Sequence, residues 1–347
     1  MPIAAGVWDG LPASRLCSFD HMQVWDAAGG GCVRYSASEA GRADLGHVVE
    51  NSVLQGALVR RLRGLGGAPV VTLIESPGGL ASLTLPPAGG SGGALVGLRD
   101  GPTLSARLVV GADGGQSQVR QLAAMRAVGW AYGQHAVVGS VRTEAPHTTA
   151  WQSFLPTGPL ALLPCWGGAW SNVVWSTNAA HAKALASLSD GDFAGAVDAA
   201  LREGARRWGG DCPPRVASSA GTRASFPLSL SHAGRYTGPR VALLGDAAHV
   251  MHPMAGQGVN LGLADARVLA EVVAEGCASG ADAADGLLSY ERRAMVNNIG
   301  MMAAVDSLHR LFASRDAPTV WARTLGLRAL AAAPPALRAA IVGFASG

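Results

Sequence analysis

A mixed α/β fold with a helical tail is the class this sequence predicts, and three stretches carry the expectation. Arg240 to Ala266 reads as strand, glycine loop and helix: Val241 to Leu244 is a short apolar run between Pro239 and Gly245, and Leu261, Leu263, Ala264, Val268 and Leu269 continue a helix from Asn260. Leu108 to Arg120 repeats the pattern, with a buried strand at Leu108–Val110, a tight turn at Asp113-Gly114 and a helix start at Ser117 to Arg120. Trp130 to about Arg235 has a different texture, with β-like runs at Ala136–Val141, Leu160–Leu163 and Asn172–Ser176 and a Gly167-Gly168 pair to turn a hairpin between the last two.

The 347 residues can hold one large domain or two, and 49% hydrophobic against 15% charged residues excludes a disordered chain. A net charge of +3, with no run of five basic residues, argues against nucleic acid as a partner. Cys17, Cys32, Cys165, Cys212 and Cys277 are odd in number, widely spaced and without a C-x-x-C pair, so neither a disulfide scaffold nor a zinc site is expected and a reducing compartment follows. No apolar run approaches the roughly 18 residues that span a bilayer. The first residues have the character of neither a transit peptide nor a secretory signal, so any membrane contact is expected to be peripheral.

In chain order, the first 20 residues are turn-rich, and no G-x-G-x-x-G follows a strand there. Met22 to Asp26 is a short strand and Gly29-Gly30-Gly31 the turn after it. From Gly46 to Leu62 an extended run leads into an amphipathic helix, with Val53, Leu54, Ala57, Leu58 and Leu62 at helical spacing. Residues 63–94 are glycine-rich, with strand-like pieces such as Val70 to Ile74. Gly89-Gly90-Ser91-Gly92-Gly93 matches G-x-S-x-G formally, but no strand enters it and no helix leaves, so a serine nucleophile is not expected there. Trp130, Trp151, Trp166, Trp170 and Trp175 either stack on an aromatic ligand or fill a core. Ala182 to Trp208 reads as helix, Gly209 to Arg223 as loop and Leu287 to Phe312 as a long helix. Pro318 to Gly347 adds two Ala/Leu/Arg segments broken at Pro334-Pro335. With Arg323, Arg328 and Arg338 and no acid, that tail suits either a membrane surface or packing on the rest of the chain.

The chemistry concentrates in the Arg240 stretch. Asp246 ends a strand, where a carboxylate can accept hydrogen bonds from a chain of hydroxyls. Pro253, Gly256 and Gly258 then strip side chains from a turn, so that backbone N–H groups and the helix start face an electron-rich, partly anionic ring. Asp113 is read as positioning backbone N–H groups, with Arg120 either balancing its charge or capping surface.

The order strand, Gly-Asp-Ala-Ala-His, then Pro-x-x-Gly-Gln-Gly-x-Asn resembles the second flavin-contacting motif of the single-component flavoprotein aromatic hydroxylases, the para-hydroxybenzoate hydroxylase fold. Leu108 to Arg120 resembles the Asp-Gly motif of the same family. Val49 to Leu58, Val-Glu-Asn-x-Val-Leu-Gln-x-Ala-Leu, resembles a helix of the ubiquinone-biosynthesis ring hydroxylases, and Ala150 to Pro164 is similar to their mitochondrial branch. The resemblance implies an FAD-binding Rossmann-like domain in two parts (1–128 and 236–312) whose first β–α unit is missing, an inserted antiparallel-sheet substrate domain (129–235) and a C-terminal helical tail (313–347). It implies FAD contacts at Asp246, Pro253, Gly256, Gln257, Gly258, Val259 and Asn260, at Asp113 and Gly114 near the pyrophosphate, and at Asn51 and Gln55, which otherwise are solvated polar residues. No general base is implied.

The expected reaction is hydroxylation of a polyprenylated 4-hydroxybenzoate-derived ring. Electrons would come from ferredoxin and its reductase, and other ubiquinone-biosynthesis proteins would be partners. The place would be the matrix face of the mitochondrial inner membrane, held peripherally. Two other readings stay open. Asp246, His249 and His252 could be a carboxylate and two imidazoles on one metal, although Pro253 and the glycine loop disfavour a continuous helix there. Alternatively the chain is a truncated, non-catalytic form unable to hold FAD.

Overall fold

The computed structural model describes residues 6–65, 71–87, 90, 92–203, 205 and 211–346. Strands β1 (Leu16–Phe19), β2 (His21–Asp26), β3 (Cys32–Ser36) and β4 (Gly46–Val49) precede helix α1 (Asn51–Arg63). Next come β5 (Leu80–Thr84), β6 (Ala94–Leu98), β7 (Thr103–Ala106), β8 (Val109–Gly111) and a short helix, α2 (Gln118–Leu122). The middle of the chain is β9 (Ala127–Thr143), β10 (Thr149–Leu155), β11 (Gly158–Cys165), β12 (Trp170–Asn178), α3 (Ala179–Ser187), α4 (Asp190–Arg202) and β13 (Val216–Ala233). After β14 (Thr237–Gly238), β15 (Val241–Leu243) and β16 (His249–Val250), the chain ends in α5 (Gly258–Ala278), α6 (Leu287–Ala313), α7 (Ala317–Ala331) and α8 (Pro335–Ser346).

Contacts divide the chain into two compact units. One comprises Gly66–Tyr132 and Ser229–Asp306. The other comprises Pro2–Leu65, Gly133–Leu228 and Ser307–Gly347.

In the first unit β15 is the middle strand of a sheet ordered β14-β15-β8, running parallel to β8 and antiparallel to β14. Val241, Ala242 and Leu243 are fully buried, which suits a strand covered on both faces. Helices α5 and α6 supply the cover: Val268, Leu269 and Val272 from α5 pack with Leu287, Tyr290 and Ala294 from α6 around Tyr236 and Leu243. A separate antiparallel meander, β5-β6-β7, leans on α2, where Gln118 Oε1 accepts the Leu80 N–H at 2.8 Å.

The second unit is built on a sheet ordered β13-β9-β12-β11-β10-β2-β3. The registered pairs are antiparallel except β10 with β2, which are parallel. One face buries Trp25, Val137, Trp151, Leu160, Leu162 and Trp175 against Leu185 of α3 and Phe193 and Val197 of α4. Trp151 and Trp175 are therefore core residues, whereas Trp130, in the other unit, is exposed. α7 packs on β3 through Leu327 and Leu330.

Several expectations need correction. Residues 71–76 form no strand, and Val71, Leu73 and Ile74 are exposed, so the apolar run there has nothing to cover; Val70 lies outside the described residues, as do Gly89 and Ser91. Ala182 to Trp208 is not one helix. It breaks after Ser187, because Ser189 caps a new helix by accepting the Asp192 N–H at 3.2 Å; Trp208 lies outside the described residues. Residues 216–223, read as loop, open strand β13 instead. The strand read as buried over Leu108–Val110 runs instead over Val109–Gly111, and Val110 is exposed. In the tail, Arg323 is buried and Arg338 bonds Glu39 at 2.9 Å, so packing is what those two arginines do.

Candidate functional site

Because β8 and β15 are parallel, with Val109 opposite Val241 and Gly111 opposite Leu243, their carboxyl ends share one edge. The two loops of interest leave from that edge. In open α/β sheets ligands gather there, since the strand ends expose backbone groups that no helix covers.

In the first loop the Asp113 carboxylate turns back onto the start of α2. Its Oδ1 accepts from Ser117 Oγ at 2.5 Å, and its Oδ2 accepts the N–H groups of Gln118 at 2.6 Å and Val119 at 3.1 Å. A negative group on otherwise unpaired first-turn amides is a favourable helix cap. Gly114 follows at φ +81°, a conformation that suits glycine. Arg120 neither balances Asp113 nor caps surface. Its guanidinium donates to the Gly115 carbonyl at 2.7 Å and to the Ala247 carbonyl at 2.6 Å, so it stitches the first loop to the second.

The second loop begins at Gly245, whose φ is +57° and which faces Gly262 of α5 so closely that a Cβ on Gly262 would sit 3.2 Å from the Gly245 Cα. Asp246 is exposed, and its carboxylate makes no hydrogen bond or ion pair among the described residues. Ala247 and Ala248 are buried and turn the chain into β16. His252 is buried with Nδ1 accepting the Met254 N–H at 3.2 Å, which leaves the ring proton of the neutral form on Nε2, and the Tyr132 ring lies edge-on at 5.1 Å. Pro253 starts a single turn that ends at Gly256, φ +63°, with open space where a side chain would be.

Gln257 then stands at the N-cap of α5 without capping it, its Oε1 taken by Asn260 Nδ2 at 3.2 Å. The first i→i−4 bond runs from Leu261 N–H to the Gln257 carbonyl. The N–H groups of Gly258, Val259 and Asn260 thus lie ahead of the ladder at the positive end of a 21-residue helix, and Val259 and Asn260 are exposed. The helix starts at Gly258, two residues before the expected Asn260.

Asn51 and Gln55 belong to the other unit. Both are exposed, one turn apart on α1, whose apolar face is Val53, Leu54, Ala57 and Leu58. The metal reading finds no geometry: His249 Nε2 is bonded to Asp265 at 2.6 Å, and among the described residues no three His, Cys, Asp or Glu side chains gather around a common point.

Sequence reasoning missed a buried polar network beneath the second loop. Asp265 of α5 accepts from Gly245 N–H at 3.0 Å and His249 at 2.6 Å through Oδ2, and from Asn298 Nδ2 at 2.9 Å through Oδ1. Tyr290 donates its hydroxyl to the Leu243 carbonyl at 2.6 Å. Glu291 accepts the N–H groups of Tyr236 and Thr237. Burial, with the Asp265 and Glu291 carboxylates adding to it, pushes the Tyr236 and Tyr290 phenols far above their ordinary range, so both stay protonated donors. The signal was present: Asp265 interrupts the buried stripe Leu261, Val268, Leu269 and Val272, and a carboxylate in an apolar stripe needs partners.

A carboxylate that accepts hydrogen bonds and the N–H donors of an open helix start together complement a polyhydroxylated chain attached to a ring that takes negative charge. The FAD binding domain family matches residues 90–302, which include both loops. The chain is 37% identical to the mitochondrial ubiquinone biosynthesis monooxygenase COQ6 of Xenopus tropicalis, across 98% of this chain and 79% of that protein. It is 35% identical to the 3-demethoxyubiquinol 3-hydroxylase of Escherichia coli K12, across 93% of this chain and 78% of that one. In fold it is similar to the p-nitrophenol 4-monooxygenase PnpA of Pseudomonas putida, with a TM-score of 0.72 and 17% identity over 100% of this chain and 87% of that one.

FAD carries both the hydroxylated ribityl chain and the charge-accepting ring that Asp246 and the open start of α5 suit, so the residues present fit it. This protein belongs to the FAD-binding monooxygenase family that contains the ubiquinone-biosynthesis hydroxylases.

Proposed function

We propose that this chain is a flavin-dependent monooxygenase that hydroxylates a polyprenylated, 4-hydroxybenzoate-derived ring in ubiquinone biosynthesis. The observation that carries the reading is Asp246, exposed and with no hydrogen bond or ion pair among the described residues, on a loop that leads into the N-terminus of α5, which has no side-chain cap. The names of the COQ6 and 3-demethoxyubiquinol hydroxylase relatives support the substrate class.

FAD, when bound, supplies the activation of oxygen toward an electron-rich ring. The protein's part is to bind, orient and stabilise. Asp246 accepts hydrogen bonds from the ribityl hydroxyls. The N–H groups of Gly258, Val259 and Asn260 hold negative charge on the flavin ring, where fixed dipoles need no reorganisation. Pro253 and Gly256 keep side chains out of the ring's approach, and Asn260 holds Gln257 in place. The family resemblance supports Asp113, which itself takes the α2 amides, and Gly114 as residues near the pyrophosphate, and Asn51 and Gln55 as further flavin contacts.

We further infer that 1–128 and 236–312 form the FAD-binding segments, 129–235 the substrate segment and 313–347 the tail. The family resemblance supports ferredoxin and its reductase as electron source, and other ubiquinone-biosynthesis proteins as partners. Peripheral attachment at the matrix side of the mitochondrial inner membrane is supported by the mitochondrial relatives and by Trp321 and Leu325, exposed on α7; among the described residues no helix is long and apolar enough to cross a membrane.

The test is to titrate FAD into the purified chain and its Asp246→Ala variant. The wild type should turn yellow with one flavin per chain and convert a prenylated phenol to its hydroxylated product when supplied with reduced ferredoxin. Loss of charge-assisted hydrogen bonds should weaken FAD about 10- to 100-fold in the variant. A wild type that ignores FAD, or a variant that binds as tightly, would overturn the assignment.

A further inference from the structure

Asp265 holds both ends of one turn with a single oxygen. Its Oδ2 accepts Gly245 N–H at 3.0 Å and His249 Nε2 at 2.6 Å, and the three residues between those anchors are Asp246, Ala247 and Ala248. The turn closes on itself through Ala248 N–H to the Gly245 carbonyl at 2.8 Å. Asn298 on α6 fixes the other oxygen at 2.9 Å, so the carboxylate cannot swing away from the loop. One turn earlier on α5, Gly262 lets the loop settle close to the helix, since a Cβ there would sit only 3.2 Å from the Gly245 Cα.

Packing alone gives no reason for this arrangement. Asp265 is 2% exposed and lies in a stripe where leucine or valine would bury more apolar surface and need no partners. Burying a carboxylate is costly unless hydrogen bonds replace its water, and here every bond it makes goes to the loop or to the residue that orients it. We propose that Asp265 is a positioning residue: by clamping Gly245 and His249 it sets the direction in which Asp246 points, and through Asp246 the grip on the flavin. The proposal rests on the functional reading above, in which Asp246 binds FAD.

The experiment compares wild type, Asp265→Leu, Asp265→Asn and Val272→Ala. The last is a cavity variant two turns further along the same helix, whose apolar side chain makes no hydrogen bond to these groups. Two quantities are read: the FAD dissociation constant, and amide exchange of residues 245–248 in flavin-free protein. Asp265→Leu should raise the dissociation constant at least about tenfold and speed exchange at 245–248, with residues 80–106 unchanged. Asp265→Asn keeps an oxygen for Gly245 and should fall between it and wild type, which carries the test if the leucine variant does not fold. Val272→Ala should lower stability and alter neither quantity. Asp265 variants that bind FAD within twofold of wild type, or that lose no more affinity than Val272→Ala, would show a merely structural carboxylate. A wild type that takes no FAD overturns the functional reading and this proposal with it, whereas wild-type binding matched by the variants overturns this proposal alone.

Discussion

Asp26 in one unit and Asp265 in the other are both almost wholly buried, 0% and 2% exposed, yet they are satisfied in different ways. Asp26 meets a full positive charge: Arg323 grips it bidentately, Nε to Oδ2 at 2.7 Å and Nη2 to Oδ1 at 3.2 Å. The same guanidinium donates to the carbonyls of Leu311, Phe312 and Ser314 at the end of α6 and lies 5.4 Å above the Phe312 ring, which stacks on Phe154 at 3.7 Å. Asp265 meets amide groups and an imidazole. A guanidinium fork joins segments distant in sequence, so the first arrangement is a clasp. Backbone and side-chain dipoles aimed from a loop restrict how that loop turns, so the second is a template for shape.

The largest effect should come from breaking the clasp. Arg323→Ala leaves the Asp26 charge buried without its partner and should cost about 3–5 kcal/mol in urea unfolding, whereas an Asp26→Asn/Arg323→Met pair, which removes both charges, should cost much less. Equal losses would mean the pairing itself matters little. The loop side is sharpened by Asp113→Ala, which removes a cap rather than a buried ion pair. It should cost about 1 kcal/mol and speed amide exchange at Gln118 and Val119 alone; a loss as large as that of Arg323→Ala would erase the distinction between the two regions.

The smallest effect concerns a neutral group in the clasp's own unit. His147 is enclosed between the Thr149 carbonyl, 2.9 Å from Nδ1, and Ser171 Oγ, 2.8 Å from Nε2. Burial, partly offset by the Thr149 hydrogen bond, holds its pKa below the ordinary histidine value. The unfolded chain therefore binds the proton more readily. The stability this group contributes is fully present above the unfolded pKa of about 6.5 and is lost as pH falls from there through the folded pKa. Replacing His147 with Gln should flatten the fall in urea midpoint between about pH 7 and pH 5, and an unchanged slope would assign that fall to other groups.

What was legible from sequence follows the range of the interactions. Val241–Leu243, α1 and the Gly167-Gly168 turn were readable because period and turn chemistry act within a few residues. The loop glycines and Asp246 were readable because a dense local motif announces them. Arg323 and Asp26 are 297 residues apart, and nothing near either suggests the other. The Gly29-Gly30-Gly31 turn was found, but its main constraint was not: a Cβ on Gly29 would collide with Thr324 and one on Gly31 with Leu327, so the glycines admit α7 as well as turning the chain. Strand β13 was misread because Ser218, Ser219, Gly221 and Arg223 show no apolar alternation; neighbouring β9 in the sheet, far off in sequence, makes it a strand. Asp265 was passed over because its partners lie 16 to 33 residues away.

The clasp also orders events in time. A ribosome adding roughly 5–20 residues per second makes Asp26 about 15–60 s before Arg323. Throughout that interval the carboxylate has no counter-charge, and closing the sheet over it is unfavourable. The unit containing β2 therefore gains its Asp26–Arg323 pairing only once α7 has been synthesised. That delay leaves β2 and β10 in need of shelter on the nascent chain, and it makes α7 the element whose arrival supplies the missing counter-charge.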